Sequence, residues 1–341
     1  MEREGWAGAM ISQVRVYRRP LPIIPSKLVR GFTLIELLVV IAIIALLMGI
    51  LLPTLGAAKD TAQKLKCSAQ LRQFGIASLA YSLDNDGYYC SGPFDNRRRN
   101  NANNLNRGYG AFDEAGWVAD FVNGEYCNPG NLLCPTNPAK YSQNLILSRV
   151  NDSPYKAFTQ EEVNELIERG FNTNYTQAWY MAQAGLKSRR VRLSGQLEPI
   201  GPLRDHYMVG VSPTRVPLIG DARTDTLDTS ESIDSPDGPQ PTVKALSDGP
   251  LLRDPETGEY GYQDYSDFGP AHGRGKFSLS GSKGHDRTTG NMLFADGHVD
   301  GFKDTNGDKE FGATRQSDRW VYDDFPNGIV FGGDIQSGKY N

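Results

Sequence analysis

The sequence predicts an α+β protein: a long N-terminal helix, half in a membrane and half amphipathic, packed on a loop-rich and mainly antiparallel β head. Three observations carry that expectation. Residues 32–52 form an apolar run with one charge, and residues 55–83 repeat apolar side chains at a spacing of three and four. Beyond residue 88, short apolar runs alternate with Gly, Pro, Asn and Asp. The expected organisation is a cytoplasmic leader over 1–31, a membrane helix over 32–52, its amphipathic continuation over 53–87 and an exported head over 88–341.

The chain has 341 residues, enough for one large or two ordinary domains beside a membrane segment. Charged residues at 22% and hydrophobic ones at 39% fit a folded protein, while 37 glycines and 20 prolines point to many loops. The net charge of −4 is unevenly divided: residues 1–31 carry six Lys/Arg against two Asp/Glu, and the remainder 30 against 38. A basic leader on an acidic body argues against a nucleic-acid partner, which would need positive charge on the folded part. Collagen-like, coiled-coil and polytopic membrane classes are excluded by the lack of a Gly-X-Y repeat and by the single long apolar run. Four cysteines are too few for a disulfide scaffold of this size but permit two bridges.

The run FTLIELLVVIAIIALLMGILL holds fifteen Leu, Ile, Val or Phe residues and one charge, Glu36. As a helix it spans about 31 Å, enough for a hydrocarbon core of about 30 Å. Insertion gains about 6 kcal/mol from the apolar side chains against at most about 3 for the carboxylate, so insertion wins. Lys27 and Arg30 precede the run, which keeps the leader cytoplasmic and exports the body. A core helix is the bland alternative, but residues 37–52 lack a polar stripe. A cleaved secretory signal is a second, with Gly56 and Ala58 as small residues at a cleavage site; the apolar stretch is long for that role, and a carboxylate interrupts its start.

Gly31-Phe32-Thr33-Leu34-Ile35-Glu36 followed by an apolar helix resembles the class III signal of type IV pilins and type II secretion pseudopilins. The resemblance implies that a prepilin peptidase cuts after Gly31 and methylates the new N-terminus at Phe32, and it makes Pro53 a helix-kinking proline. Proline has that effect in any helix interior. The leader is longer than usual for the family, and Met10 is a second candidate start. Glycine leaves the bond open to a protease. A carboxylate inside an apolar helix is costly and asks for a partner, which in a filament is the N-terminal amine of a neighbouring subunit. The alternative is that Glu36 snorkels to the interface.

Past Pro53 the 3–4 spacing runs through Leu55, Ala58, Ala62, Leu65, Ala69, Arg72, Ile76, Leu79 and Leu83, with Cys67, Leu71, Phe74 and Tyr81 broadening the face. One helix is expected from about 32 to 83, ended by Asn85-Asp86-Gly87. In the head, residues 159–169 read as a helix, with Thr159 and Glu162 forming a capping box and Gly170 closing it. Residues 176–182, 206–211 and 216–219 read as short strands. The basic triplet Arg97–Arg99 reads as a solvated loop rather than an anion site, because the head is acidic.

Near the C-terminus, Asp296-Gly297 between Asn291–Ala295 and His298–Phe302 predicts a hairpin with a two-residue turn, both residues at positive φ. Preceded by a histidine, this segment resembles the H-X9-DG processing-associated region of large planctomycete-type pseudopilins. Here ten residues rather than nine separate His285 from Asp296. Cys67 followed by Leu71-Arg72-Gln73, and Cys134-Pro135, are similar to the same group.

No nucleophile motif, phosphate loop or dinucleotide fingerprint is present, so no catalytic residues are expected. His285, Asp296 and His298 offer metal-ligand types, but no ligand spacing supports them and a structural turn is the favoured reading. Asp304, Asn306 and Asp308 place oxygens at alternate positions like the opening of a calcium loop. Lys309 and Arg315 rule out an EF-hand, which leaves a shorter calcium loop against a solvated acidic turn. Resemblance to secretion pseudopilins, some of which bind calcium in their heads, implies the ion as an alternative, with the solvated acidic turn as the default reading. Cys127 and Cys134 enclose a turn that a disulfide would close in an oxidising compartment. Four cysteines allow three connectivities, and free buried thiols are the alternative, above all for Cys67.

The function expected is structural: a single-pass inner-membrane subunit with a periplasmic head, assembling with other pilin or pseudopilin subunits through Glu36. Its partners would be prepilin peptidase, those subunits, the inner-membrane assembly machinery and the lipid bilayer. The rival is an exported, membrane-anchored enzyme or glycan-binding protein that uses the same export signal.

Overall fold

The structure is a computed structural model that describes residues 31–95, 110–152, 155–187, 199–223, 232–235, 238–249, 252–254, 259–260, 263–273, 287–316, 319–322, 324–325, 329–333 and 335. It divides into two units, Met1–Thr54 and Leu55–Asn341. The leader through residue 30, Arg97–Arg99 and His285 lie outside the described residues.

The first unit contributes the start of helix α1 (Leu34–Asp84), whose Leu, Ile, Val and Met side chains are exposed throughout this stretch. Among the described residues this is the helix long and apolar enough to cross a membrane. Helical structure continues through Pro53, which lacks the N–H that an interior turn would donate.

The second unit is α+β. It holds short helices α2 (Trp117–Asn123), α3 (Leu147–Val150), α4 (Gln160–Arg169) and α5 (Trp179–Gln183). Its strands are β1 (Tyr141–Ser142), β2 (Tyr175–Gln177), β3 (Pro217–Asp221), β4 (Ser232–Ser235), β5 (Gly238–Val243), β6 (Leu252–Asp254), β7 (Glu259–Tyr260), β8 (Thr289–Phe294), β9 (Val299–Lys303), β10 (Ala313–Gln316) and β11 (Arg319–Tyr322). A four-stranded antiparallel sheet runs β2-β3-β8-β9. A second sheet, β1-β5-β4, contains a parallel pair, β1 with β5, and the hairpins β6-β7 and β10-β11 stand apart.

Helix α1 closes this unit's core, but not through the stripe that its apolar spacing suggested. Cys67, Leu71, Phe74, Ala77 and Ser78 are buried, whereas Leu55, Leu65, Ile76 and Leu83 are each more than 60% exposed. At about 100° per residue the two sets lie on opposite sides of the helix. Both sides are apolar, so periodicity alone could not choose. Small residues decide the matter: a Cβ on Gly75 would stand 2.9 Å from Leu293 Cδ1 and 3.3 Å from Gly297 Cα, so the β8–β9 hairpin approaches the bare backbone. Phe74 then meets Trp117 and Tyr175 edge-on, with centroids 5.3 and 5.5 Å away.

Helix α4 follows its sequence signals. Thr159 Oγ1 accepts from Glu162 N at 3.2 Å, Glu162 Oε2 accepts from Thr159 N at 2.7 Å, and Gly170 ends the helix at φ 100°. The β8–β9 hairpin forms at Asp296-Gly297, with a longer loop than predicted. Gly297 N donates to Phe294 O at 2.9 Å and Phe294 N to His298 O at 3.0 Å, and only Gly297 has positive φ, 88°. This is a three-residue loop ending in a left-handed glycine. Residues 216–219 fall in or beside β3, but residues 206–211 begin in a 3-10 turn, Asp205–Tyr207, and 179–183 are helical.

Candidate functional site

Two regions concentrate functional side chains. In the first unit, Gly31 and Phe32 precede α1 in non-helical backbone, and Phe32 is 70% exposed. Glu36 was expected to lack a partner in its own segment. Instead its Oε2 accepts from both the backbone N and Oγ1 of Thr33, each at 2.8 Å, while Glu36 N donates to Thr33 Oγ1 at 3.3 Å. Thr33-x-x-Glu36 is a reciprocal capping box that satisfies the first turn of α1, a signal present in the sequence and overlooked there.

In the second unit, four side chains from four distant parts of the chain converge in the interior. Cys67 comes from α1, Cys134 from the loop after Asn131, Asp221 from the last position of β3 and His272 from the loop before β8. All four are at most 1% exposed, and one donor atom from each lies within 4.8 Å of the others. Cys67 Sγ is 2.8 Å from Cys134 Sγ, and His272 Nε2 is 2.9 Å from Asp221 Oδ2 and 3.9 Å from Cys134 Sγ.

Each donor is held from behind. Asn174 Oδ1 accepts from Cys134 N at 2.8 Å and Asn174 Nδ2 donates to Cys134 O at 3.1 Å, which fixes that loop. Thr136 Oγ1 is 2.8 Å from His272 Nδ1, leaving Nε2 to face the cluster. Asn291 donates to Asp221 Oδ2 from its backbone N at 2.7 Å and from Nδ2 at 3.1 Å. Asp221 Oδ1 is sealed from solvent and has no hydrogen-bond partner among the described residues.

Burial pushes the Cys134 thiol up, but the hydrogen bond from Cys67 and the neighbouring His272 outweigh it and bring it down to about 6. Cys67 moves the other way, raised by that hydrogen bond and then by burial. Burial works against a charged His272, yet the Asp221 carboxylate raises it to about 10.

The expected Cys127–Cys134 bridge has no counterpart in this geometry. Cys134 turns its sulfur to Cys67, not to Cys127, because Asn174 anchors its backbone on both sides. Cys127 is half-buried, and all four thiols are free. Sequence inspection had singled out Cys67 and Cys134 separately, but Asp221 and His272 sit too far along the chain for any spacing rule.

Within the hairpin, His298 Nε2 lies 3.6 Å from Asp300 Oδ2. His298 stacks on Phe294 with centroids 4.5 Å apart, and its Nδ1 pairs with Asp296 Oδ1. Asp296 Oδ1 also accepts from His298 N at 3.2 Å, a turn-stabilising role.

At the acidic turn, Asp304, Asp308 and Asp324 bring carboxylate oxygens within 4.8 Å of one another. Asp304 accepts from Gly307 N at 2.6 Å and Lys309 N at 3.0 Å, and Asn306 Nδ2 donates to Asp308 Oδ2 at 2.6 Å. Burial, opposed by hydrogen bonds from Thr305 and reinforced by the charges of Asp304 and Asp308, raises the Asp324 carboxyl. Asp324 is the member of this group that lay too far away for sequence inspection to add.

Residues 26–52 match the family model of the prokaryotic N-terminal methylation motif. The chain is also 46% identical over 59 residues to the type IV wide pilus major component PilA4 of Thermus thermophilus, across 17% of this chain and 45% of that protein. The chain thus spans about half the length of this curated relative. No solved structure matches. Over its N-terminal segment the chain is type IV pilin-like.

Proposed function

We propose that this chain is a prepilin-like structural subunit, cleaved after Gly31 by prepilin peptidase, N-methylated at Phe32 and assembled into a type IV pilus or type II secretion pseudopilus. The observation that carries the reading is the methylation motif over residues 26–52, with Gly31, Phe32 and Glu36 in the order that processing and assembly require. The leader stays cytoplasmic, α1 crosses the inner membrane once, and the head faces the periplasm, reaching the cell surface after assembly. The size of the head favours a minor subunit. Its partners are prepilin peptidase, other pilin or pseudopilin subunits, the inner-membrane assembly machinery and the bilayer.

Two features of the fold support this reading. The apolar side of α1 carrying Leu65, Ile76 and Leu83 is exposed, as a helix that packs laterally against neighbouring subunits would be. Among the described residues the donors to Glu36 are the neutral groups of Thr33, so an incoming N-terminal amine adds the charged partner that a carboxylate in a low-dielectric layer lacks.

The test is Glu36→Gln, which removes the charge while nearly preserving shape and insertion. The expected outcome is normal membrane insertion and normal cleavage after Gly31, with crosslinking between neighbouring subunits reduced while monomer abundance holds. Assembly equal to wild type would reduce Glu36 to an interfacial residue and remove it from the mechanism.

A further inference from the structure

We propose that Cys67, Cys134, Asp221 and His272 form a closed structural site for a divalent transition metal of the zinc class. Two thiolates, one imidazole nitrogen and one carboxylate oxygen are a donor set that selects zinc over the hard, oxygen-seeking cations. A tetrahedral ion with bonds of about 2.0–2.3 Å holds its ligand atoms about 3.3–3.8 Å apart. Four donor atoms already within 4.8 Å of one another therefore need to move by about 1 Å or less.

Three further observations point to a ligand rather than to a polar cluster that is complete in itself. First, Asp221 Oδ1 is fully buried and has no hydrogen-bond partner among the described residues. Burying an unsatisfied carboxylate oxygen is expensive, and a metal ion would satisfy it. Second, His272 shows the two-sided arrangement typical of a metal-bound imidazole. Nδ1 is engaged by Thr136 Oγ1 at 2.8 Å, which leaves Nε2 on the inner side, next to Asp221 and Cys134. Third, the supporting contacts to Cys134 from Asn174 and to Asp221 from Asn291 orient the donors before any ion arrives.

A disulfide between Cys67 and Cys134 is the competing chemistry. It would account for two of the four residues, and it would leave Asp221 Oδ1 without a partner. A metal uses all four. Its position also gives it a purpose: the ligands tie α1 to the end of β3 and to the loops before Thr136 and before β8, so the ion would fasten the helix into the head's core.

The experiment uses the full chain extracted in detergent, with zinc content measured per chain and Co2+ exchanged for Zn2+ as a spectroscopic probe. The expected result is one zinc per chain and, with Co2+, thiolate-to-cobalt charge-transfer absorption together with the intense visible bands of a tetrahedral site. Asp221→Asn should weaken Zn2+ binding at least tenfold while leaving the charge-transfer bands in place, because both thiolates remain. Cys67→Ser should reduce those bands by about half. Tryptophan fluorescence and near-UV circular dichroism identify variants that fail to fold, in which case the wild-type cobalt spectrum alone decides. A folded wild-type chain that takes up neither metal, or that carries a Cys67–Cys134 disulfide, would overturn the site. Unchanged Zn2+ affinity in folded Asp221→Asn would overturn the four-ligand assignment.

Discussion

Asp120 lies in α2, 9% exposed, with Oδ2 accepting from Ser91 N at 2.7 Å. Burial raises its carboxyl from the usual 3.8 to about 6, against the lowering effect of hydrogen bonds from Ser91 and Tyr81. That displacement corresponds to about 3 kcal/mol. The folded carboxyl holds its proton more tightly than the unfolded one, so its contribution is fully present below pH 4. As pH rises from about 4 to about 6 the unfolded chain ionises first, and this stability is lost. Asp120→Asn keeps an acceptor for Ser91 N but has nothing to ionise. The variant should match the wild type near pH 4 and exceed it by about 1–3 kcal/mol at pH 7.5, the lower end allowing for a weaker hydrogen bond. The assay is unfolding of the full chain in detergent, followed by tryptophan fluorescence, because Trp117 and Trp179 are both buried in the head. The informative quantity is the difference between variant and wild type at each pH, in which other titrating groups cancel. Parallel pH profiles for the two proteins would show that Asp120 ionises freely and would refute the argument.

If the turn carrying Asp304, Asn306 and Asp308 holds calcium, adding Ca2+ to calcium-free, zinc-supplied protein should raise the head's melting temperature, and Asp308→Ala should abolish that response. Identical melting with and without Ca2+ would leave these residues as a self-capped acidic turn. At the processing site, Gly31→Ala should be cleaved more readily than Gly31→Leu, because the peptidase needs an unhindered bond. Equal cleavage of the two variants, read by the size of the membrane-bound product, would contradict that role.

Local signals in the sequence were readable wherever a short stretch determined its own structure. Thr159, Glu162 and Gly170 set the limits of α4, and Asp296-Gly297 located the β8–β9 hairpin. The apolar run placed the first part of α1. The sequence was ambiguous where tertiary contacts made the choice. Helix α1 is apolar on two sides beyond Pro53, and only the approach of Leu293 and Gly297 to Gly75 selects the side that is buried. The hairpin loop lengthened because His298 O accepts from Phe294 N rather than from Ala295 N, which donates to Val216 O instead. Cys67, Cys134, Asp221 and His272 meet through a helix, a loop, a strand end and a second loop. No periodicity or spacing rule connects residues so far apart, and four histidines in the chain gave no reason to prefer His272.

The central claim is that the chain is processed and used as a prepilin-like subunit. Its most direct test is the identity of the N-terminal residue of native protein taken from membranes, determined by mass spectrometry of the terminal peptide. The account predicts a mature chain that begins at N-methylated Phe32, with the segment through Gly31 removed. A native chain beginning at Lys59 would mean that Gly56 and Ala58 direct an ordinary signal-peptide cleavage, and a chain retaining the leader would mean that Gly31 is never cut; either result would contradict the account.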